Sequence, residues 1–468
     1  MNYASVVRIL ALVMLILAGS SLPAILTALA YGEDEQVFAF LAMVLGISVT
    51  AVSILFLTPR PTLKARPSDA LGLVILWWFL SPVAASLPFV VGVQNSSLLS
   101  AIHEAAACLT TTGQSVIAVE GNLWPASLIV WRGILHFIGG AASIITAASV
   151  LAALNLGGPG IHRSVLFVMP ETSFFDAVPK VARSVVLIMV VSITLTVLAL
   201  ELTGMSSGRA ISDAVSVWTT GIVDPAPYGR ANAGPVADII LAIGMTGGAL
   251  GLAIALPLRE RRFMKALTDP ETTVFFLLVG IFTLMAVASG VKFIESLGWS
   301  ISALATSGLP LGEADTWERV PLPVFVLPAL IGGSALSAAG GVKIARLIVL
   351  ARRAGVEFRQ LGYRRSVLGF QFRDRAMDER SVIGVWVYLI AYILTVFLVM
   401  VGFTFTGLSF EDAIRLAIGC LTNSGGLVAG HVAQLDGAAS ILAIFSMLLG
   451  RLEILAIIPA ISVSFWRG

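Results

Sequence analysis

HEAAACLTTTGQS, residues 103–115, leads an apolar stretch into Thr111-Thr112-Gly113. The same ending recurs three times, as Thr219-Thr220-Gly221, Thr306-Ser307-Gly308 and Asn423-Ser424-Gly425. The apolar segments before them cover 98–109, 208–218, 292–305 and 409–421. All are too short to span a bilayer, which takes roughly 20 apolar residues in a helix. They read as half-helices that dip into a membrane and return as extended chain. Such backbone is tolerated at depth only when buried in protein or lining a water-filled cavity.

The repetition extends to neighbouring columns. Directly before each glycine stands a hydroxyl residue: Thr112, Thr220, Ser307 and Ser424. Two before stand Thr111, Thr219, Thr306 and Asn423, all small and polar. Five before stand Cys108, Ser216, Ala303 and Cys420, all small. Beyond each tripeptide, glycine interrupts the next apolar run at Gly139-Gly140, Gly247-Gly248, Gly332-Gly333 and Gly450. Small residues are common in membrane helices, but the agreement of several columns argues for one unit used four times.

Composition sets the environment. The chain has 468 residues, of which 57% are hydrophobic and 12% charged, with a mean hydropathy of +0.96. Soluble domains carry about 25% charged residues, so a soluble binding module is excluded. Ten stretches are candidate spans, near 7–30, 37–58, 70–92, 124–155, 184–204, 233–257, 273–290, 321–351, 382–402 and 437–466. The first is longer than the apolar core of a cleavable signal and is expected to be retained. Cys108 and Cys420 offer neither a disulfide framework nor metal spacing.

Cations concentrate in alternate loops. One holds Arg60, Lys64 and Arg66; the next Arg163, Lys180 and Arg183; the next Arg259, Arg261, Arg262 and Lys265. The longest holds Arg352, Arg353, Arg359, Arg364, Arg365, Arg373, Arg375 and Arg380. The first intervening connection is acidic, with Glu33, Asp34 and Glu35. The positive-inside rule makes the basic loops cytoplasmic. Both termini are then expected inside, and all four tripeptides outside. The expected fold is an all-α integral membrane protein. Two leading helices (1–66) precede four helix–pore-half-helix–helix repeats with pseudo-fourfold symmetry around one central pore. The repeats are expected over 67–160, 161–264, 265–352 and 353–468.

A potassium filter replaces the ion's hydration shell with rings of carbonyl oxygens. Aiming successive carbonyls at one axis takes backbone angles that glycine adopts with little penalty. The expected filter is therefore Gly113, Gly221, Gly308 and Gly425 with the two residues before each. Hydroxyls beneath add oxygen ligands, and the half-helix C-termini turn their negative dipole ends toward a cation. One glycine per repeat, against the two of TVGYG, implies a shorter filter and weaker exclusion of sodium.

Charges within spans are functional candidates by default. Lys343 and Arg451 are candidates for gating or cation repulsion, with Arg346 behind them and Arg132 read as structural. Glu453 lies near Arg451 as a pairing partner. Residues 332–341, GGSALSAAGG, are nearly all small. Their glycines favour a break in the helix, and so a loop beneath the filter with Gly332, Gly333, Gly340 and Gly341 at its ends. Glu104, Asp213, Glu295, Glu411 and Asp412 read mainly as N-terminal helix charges.

Four motifs carry a family resemblance: HEAAACLTTTGQS (103–115), WRGILHFIGG (131–140), GGSALSAAGGVK (332–343) and LLGRLEIL (448–455). The chain resembles the TrkH-type subunit of the Trk/Ktr/HKT potassium-uptake family over essentially its whole length. The two leading helices favour that branch. The resemblance implies a homodimer in the lipid of the bacterial inner membrane that takes up K+, with Na+ and Rb+ as further candidate ions. It implies a gating loop at 332–341, with Lys343 and Arg451 as the matching basic positions. It also implies a cytosolic TrkA-type ring, which would bind the regulatory nucleotide (ATP/ADP or NAD). No covalently bound cofactor and no nucleic-acid partner is expected. The chain departs from the family at TTGIVDP (219–225) and TSGLPLG (306–312), where a Gly-Phe pair is frequent. NSGGL (423–427) lacks the usual proline, and the loop has fewer glycines than is usual.

The alternative is a secondary carrier coupling potassium uptake to protons or sodium. Such carriers often use inverted repeats, whereas each repeat here ends in a basic loop. An enzyme is not expected, because His103, His136, His162 and His431 are scattered without metal spacing.

Overall fold

The structure is a computed structural model. It describes residues 3–59, 67–93, 96–117, 124–148, 174–225, 234–259, 261–311, 319–362, 371–372, 375–376, 379–427, 435, 437–454 and 462. Arg60, Lys64, Arg66, His162, Arg163, Arg364, Arg365, Arg373 and His431 lie outside the described residues.

The architecture is helical, and the strands among the described residues are one antiparallel pair, Gln371–Phe372 with Arg375–Ala376. Tyr3–Gly19, Leu22–Tyr31 and Asp34–Leu57 form the two leading hairpin arms. Then an outer helix, a half-helix and an inner helix follow one another four times. The outer helices are Pro67–Ala85 (extended by Leu87–Gly92), Phe174–Glu201, Pro270–Ala288 and Glu379–Phe405. The half-helices are Leu98–Leu109, Ser207–Thr219, Phe293–Leu304 and Phe410–Thr422, within a residue or so of the sequence expectation. The inner helices are Ala126–Thr146, Pro235–Leu250, Leu322–Ile331 and Gly437–Leu452. Among the described residues, seven helical segments are long and apolar enough to cross a membrane.

The packing closes on itself. The first half-helix lies on the first inner helix, which lies on the second half-helix. The sequence continues around to the fourth inner helix, which packs against the first half-helix. Glycine makes this approach possible. A Cβ at Gly139 would strike the carbonyl of Leu109, one at Gly248 that of Val217, and one at Gly450 that of Leu421. Each is a carbonyl in the last turn of the half-helix of the same repeat. The second glycine of the first pair, Gly140, faces Thr219 of the next repeat. The periodic glycines of the sequence are thus contact points where helix backbones touch.

Two expected spans are not continuous. The third inner helix stops at Gly332 (φ +74) and resumes as Ile344–Gly362, so the break read from GGSALSAAGG is present. The second also breaks, at Gly251 (φ +49), before Leu252–Arg259. There the backbone meets the 332–341 segment: Leu252 N donates to Leu336 O at 3.0 Å and Ser334 N to Ala249 O at 2.9 Å. A helix continuing straight would keep those groups for itself. The fourth inner helix is described only to Leu452, with 455–461 outside the described residues.

Overpacking of this kind costs about 1–3 kcal/mol, and more where backbone must move. Gly139→Val is therefore expected to lower the thermal unfolding temperature of the detergent-solubilised protein by several degrees or to prevent folding. Gly280→Val, on an exposed outer-helix face with nothing within 4 Å, is expected to leave the melting curve in place.

Candidate functional site

The half-helices end alike. The backbone turns left-handed at Thr111 (φ 55), Thr220 (φ 55), Thr306 (φ 53) and Asn423 (φ 53). A β-branched residue at positive φ is a steric outlier, costing of order 1–3 kcal/mol and found chiefly at functional sites. The turn closes the helix in the manner of a Schellman cap. The residue after it donates five back, from Gly221 to Ser216 O, Ser307 to Ser302 O and Ser424 to Gly419 O, at 2.8–3.1 Å. In the first repeat Gly113 N reaches Ala107 O at 2.9 Å. In the first three repeats the chain then leaves the half-helix as non-helical backbone, whereas in the fourth it enters a single 3-10 turn over Gly425–Leu427.

The turn is made earlier than the sequence suggests. Positive φ was expected at all four glycines, but Gly113 (φ 74) and Gly308 (φ 72) have it while Gly221 and Gly425 do not. The threonine or asparagine does the turning. Gly221 and Gly425 are needed for proximity instead: a Cβ on either would strike the carbonyl of Thr111 or Thr112.

The four tripeptides meet. Gly113 abuts the backbone of Ile222, and Gly308 abuts Gly426. Gly425 abuts Thr112 O. Ser307 Oγ reaches Gly221 O at 3.5 Å, and Asn423 Nδ2 donates to Thr112 Oγ1 at 3.1 Å. These contacts join repeat one to two, two to three, three to four and four to one. All twelve residues of the expected filter are buried. Two hydroxyls among them, Thr220 Oγ1 and Ser424 Oγ, have no hydrogen-bond partner. Buried polar atoms are usually satisfied, so these oxygens are available to a ligand. A ring of backbone and hydroxyl oxygens without a carboxylate suits a monovalent cation held loosely.

Arg132 braces this ring from behind. It is fully buried and ion-paired with Glu104. Its guanidinium donates to Val223 O at 2.6 Å, Gly113 O at 2.9 Å and Ile222 O at 3.3 Å. The structural role read for Arg132 is therefore specific, joining the tripeptide backbones of repeats one and two. Glu104 and Asp213 depart from the sequence reading. Each sits in the body of its half-helix rather than at the N-terminus, Glu104 paired with Arg132 and Asp213 with Arg209 at 3.4 Å. Glu295, Glu411 and Asp412 do lie in first turns.

Below the ring lies the 332–341 segment. Gly340 N donates to Thr306 Oγ1 at 2.9 Å. Arg451 donates to Thr110 O, Thr111 Oγ1 and Ala338 O, tying the segment to the first repeat. Lys343 turns back onto Ala339 O and Ser337 O. Glu453 pairs with Arg346 rather than with Arg451, because the guanidinium of Arg451 is committed to the ring. Arg346 also stacks over Tyr388 at 3.9 Å. The space between, bordered by Ser143, Ser337, Gly340, Lys343, Gly450 and Arg451, is about 30 Å³, enough for a water or two. Glu271 escaped sequence reasoning: its carboxylate accepts from Ala335 N at 2.8 Å and anchors the segment. It follows Asp269-Pro270 at a helix start, where an acid reads as an ordinary first-turn charge. Among the described residues no group of three or more His, Cys, Asp or Glu is placed to hold a metal.

Removing one partner of a buried ion pair costs about 3–5 kcal/mol. Arg132→Met is thus expected to lower the thermal stability sharply. Arg132→Met combined with Glu104→Gln is expected to recover part of the loss on the same melting assay.

No family model matches the chain. Among curated proteins it is 27% identical over 497 residues to the Trk system potassium uptake protein TrkH of Salmonella typhimurium, covering 100% of both. It is 26% identical to TrkI of Halomonas elongata, covering 100% of this chain and 97% of that protein. Among solved structures, the potassium transporter TrkH from Vibrio parahaemolyticus superposes with a TM-score of 0.86 at 25% identity, over 100% of both chains. In sequence and in fold, the chain resembles TrkH-type subunits of the Trk/Ktr/HKT potassium-uptake family over its full length.

Proposed function

We propose that this chain takes up potassium across the bacterial inner membrane through one central pore. The observation that carries the proposal is the closed ring of four tripeptides. Thr111-Thr112-Gly113, Thr219-Thr220-Gly221, Thr306-Ser307-Gly308 and Asn423-Ser424-Gly425 act as its filter. Four half-helices end on that ring, and each C-terminus carries about half an elementary negative charge. The field favours a cation without the firm grip of a carboxylate, so the ion can leave again. The relatives' names, all of Trk potassium-uptake proteins, support K+ as the cargo.

The gate is the 332–341 segment, with Gly332, Gly333, Gly340 and Gly341 as its bending points. Lys343 and Arg451 hold it shut and repel cations beneath the filter. The ties of Arg451 to Thr110, Thr111 and Ala338, and of Gly340 to Thr306, support a closed state. Opening must break the bonds of Arg451 and the Gly340–Thr306 bond together. The resemblance supports a homodimer controlled by a cytosolic nucleotide-binding ring of the TrkA type, with both termini on the cytoplasmic side. An apolar cleft of about 1270 Å³, lined by Ile16, Val74, Ile134 and Val190 among others, suits membrane lipid.

Liposome flux of the purified protein tests both parts. Gly113→Ser is expected to change potassium uptake and its preference over sodium, and unchanged flux and preference would remove the filter assignment. Hydrogen bonds from a charged donor contribute about 1.5–3 kcal/mol each, and 1.4 kcal/mol is tenfold in an equilibrium. Arg451→Ala is therefore expected to raise potassium flux without the partner by roughly tenfold or more.

A further inference from the structure

Resting on the pore reading above, the geometry points to Ile222 as a specificity-determining residue, the one member of the glycine ring that is not glycine. The left-handed turn fixes the register of each repeat. Two residues after Thr111, Thr306 and Asn423 stand Gly113, Gly308 and Gly425. Two residues after Thr220 stands Ile222. The sequence column that aligned Gly221 with the other glycines is therefore one place out in the second repeat.

Two further observations agree. The residue after the turn donates to the carbonyl five back in repeats two, three and four, and in the second repeat that donor is Gly221. Gly221 thus matches Ser307 and Ser424 rather than Gly308 and Gly425. Contact between the first two repeats agrees as well, while the third and fourth pack one residue out of step, Gly308 against Gly426. Gly113 packs directly on the backbone of Ile222, and one guanidinium, that of Arg132, binds the carbonyls of both.

The consequence is a lopsided ring. Ile222 is fully buried, and its Cδ1 reaches to within 3.4 Å of where a Gly308 side chain would begin. Branching at Cβ stiffens the residue, whereas glycine lets a carbonyl tilt to suit an ion. On the side of repeats one and two, Arg132 already holds the carbonyls of Gly113 and Ile222. An ion at this level is therefore drawn toward repeats three and four, and the match to one ion radius is less sharp.

The test is the potassium-to-sodium flux ratio in liposomes for I222G, I222V and Gly113→Ser, each checked for a monodisperse profile. I222G supplies a fourth glycine and is expected to raise the ratio by about threefold or more, the scale of one hydrogen-bond-strength ligand. I222V keeps the branch and is expected to stay within about twofold of the parent, less than one such ligand changes. If Gly113→Ser shifts the ratio while I222G does not, the assignment of Ile222 fails and the filter reading stands. If neither shifts it, the filter reading itself fails. Should I222G not fold, rubidium anomalous density in crystals of the parent protein decides. Density displaced toward Gly308 and Gly425 supports the inference, and density equidistant from all four repeats overturns it.

Discussion

Backbone must touch backbone at the centre of this molecule, and the rest of the structure follows from that requirement. Four chain segments meet, with backbone directly on backbone at Gly113 against Ile222, Gly308 against Gly426 and Gly425 against Thr112, and with the Ser307 hydroxyl reaching across to Gly221. Such closeness demands that each supporting helix also come close. Glycines at 139, 248 and 450 remove the Cβ atoms that would hold the inner helices away from half-helix carbonyls. Extended backbone inside a membrane would leave polar groups without partners, at a cost of several kcal/mol each. Arg132 meets three of those carbonyls, and Arg451 a fourth on Thr110. The two buried arginines look like anomalies in a hydrophobic sequence, and they satisfy backbone that no helix can.

The same constraint explains how the segment beneath the ring is held. Its small residues let it lie against the ring, and its polar anchors come from every side: Thr306, Arg451, Glu271 and the broken end of the second inner helix. These anchors come from all four repeats, counting the tie of Arg451 to the first. A segment fixed by so many separate elements moves only when several of them yield together, which is how a packed structure comes to have two discrete arrangements rather than a continuum.

Much of this was legible in the sequence, for physical reasons. Half-helices were recognisable because segments such as 98–109 are apolar yet too short to span, and because the tripeptide columns recur. The break at 332–341 was legible from clustered glycine. The partner of Glu453 was not, since proximity in sequence favoured Arg451 and only the fold brings Arg346 beside it. The break at Gly251 was hidden because a lone glycine in an apolar run is common, and its cause lies 85 residues away at Leu336. The register of the second repeat was hidden for a related reason. TTG aligns well by letter in both the first and second repeats, and only the backbone angle shows that the turn falls on a different threonine.

The ring is also built from one chain rather than from four identical ones. In a homotetramer a single codon change alters four ring positions at once, and the perturbation is multiplied accordingly. Here each repeat drifts alone, and the other three hold the geometry while it does. On the proposed register, the isoleucine at one corner is a quarter-dose substitution. A single-chain ring therefore has a freedom that symmetry withholds: its corners can be retuned one at a time.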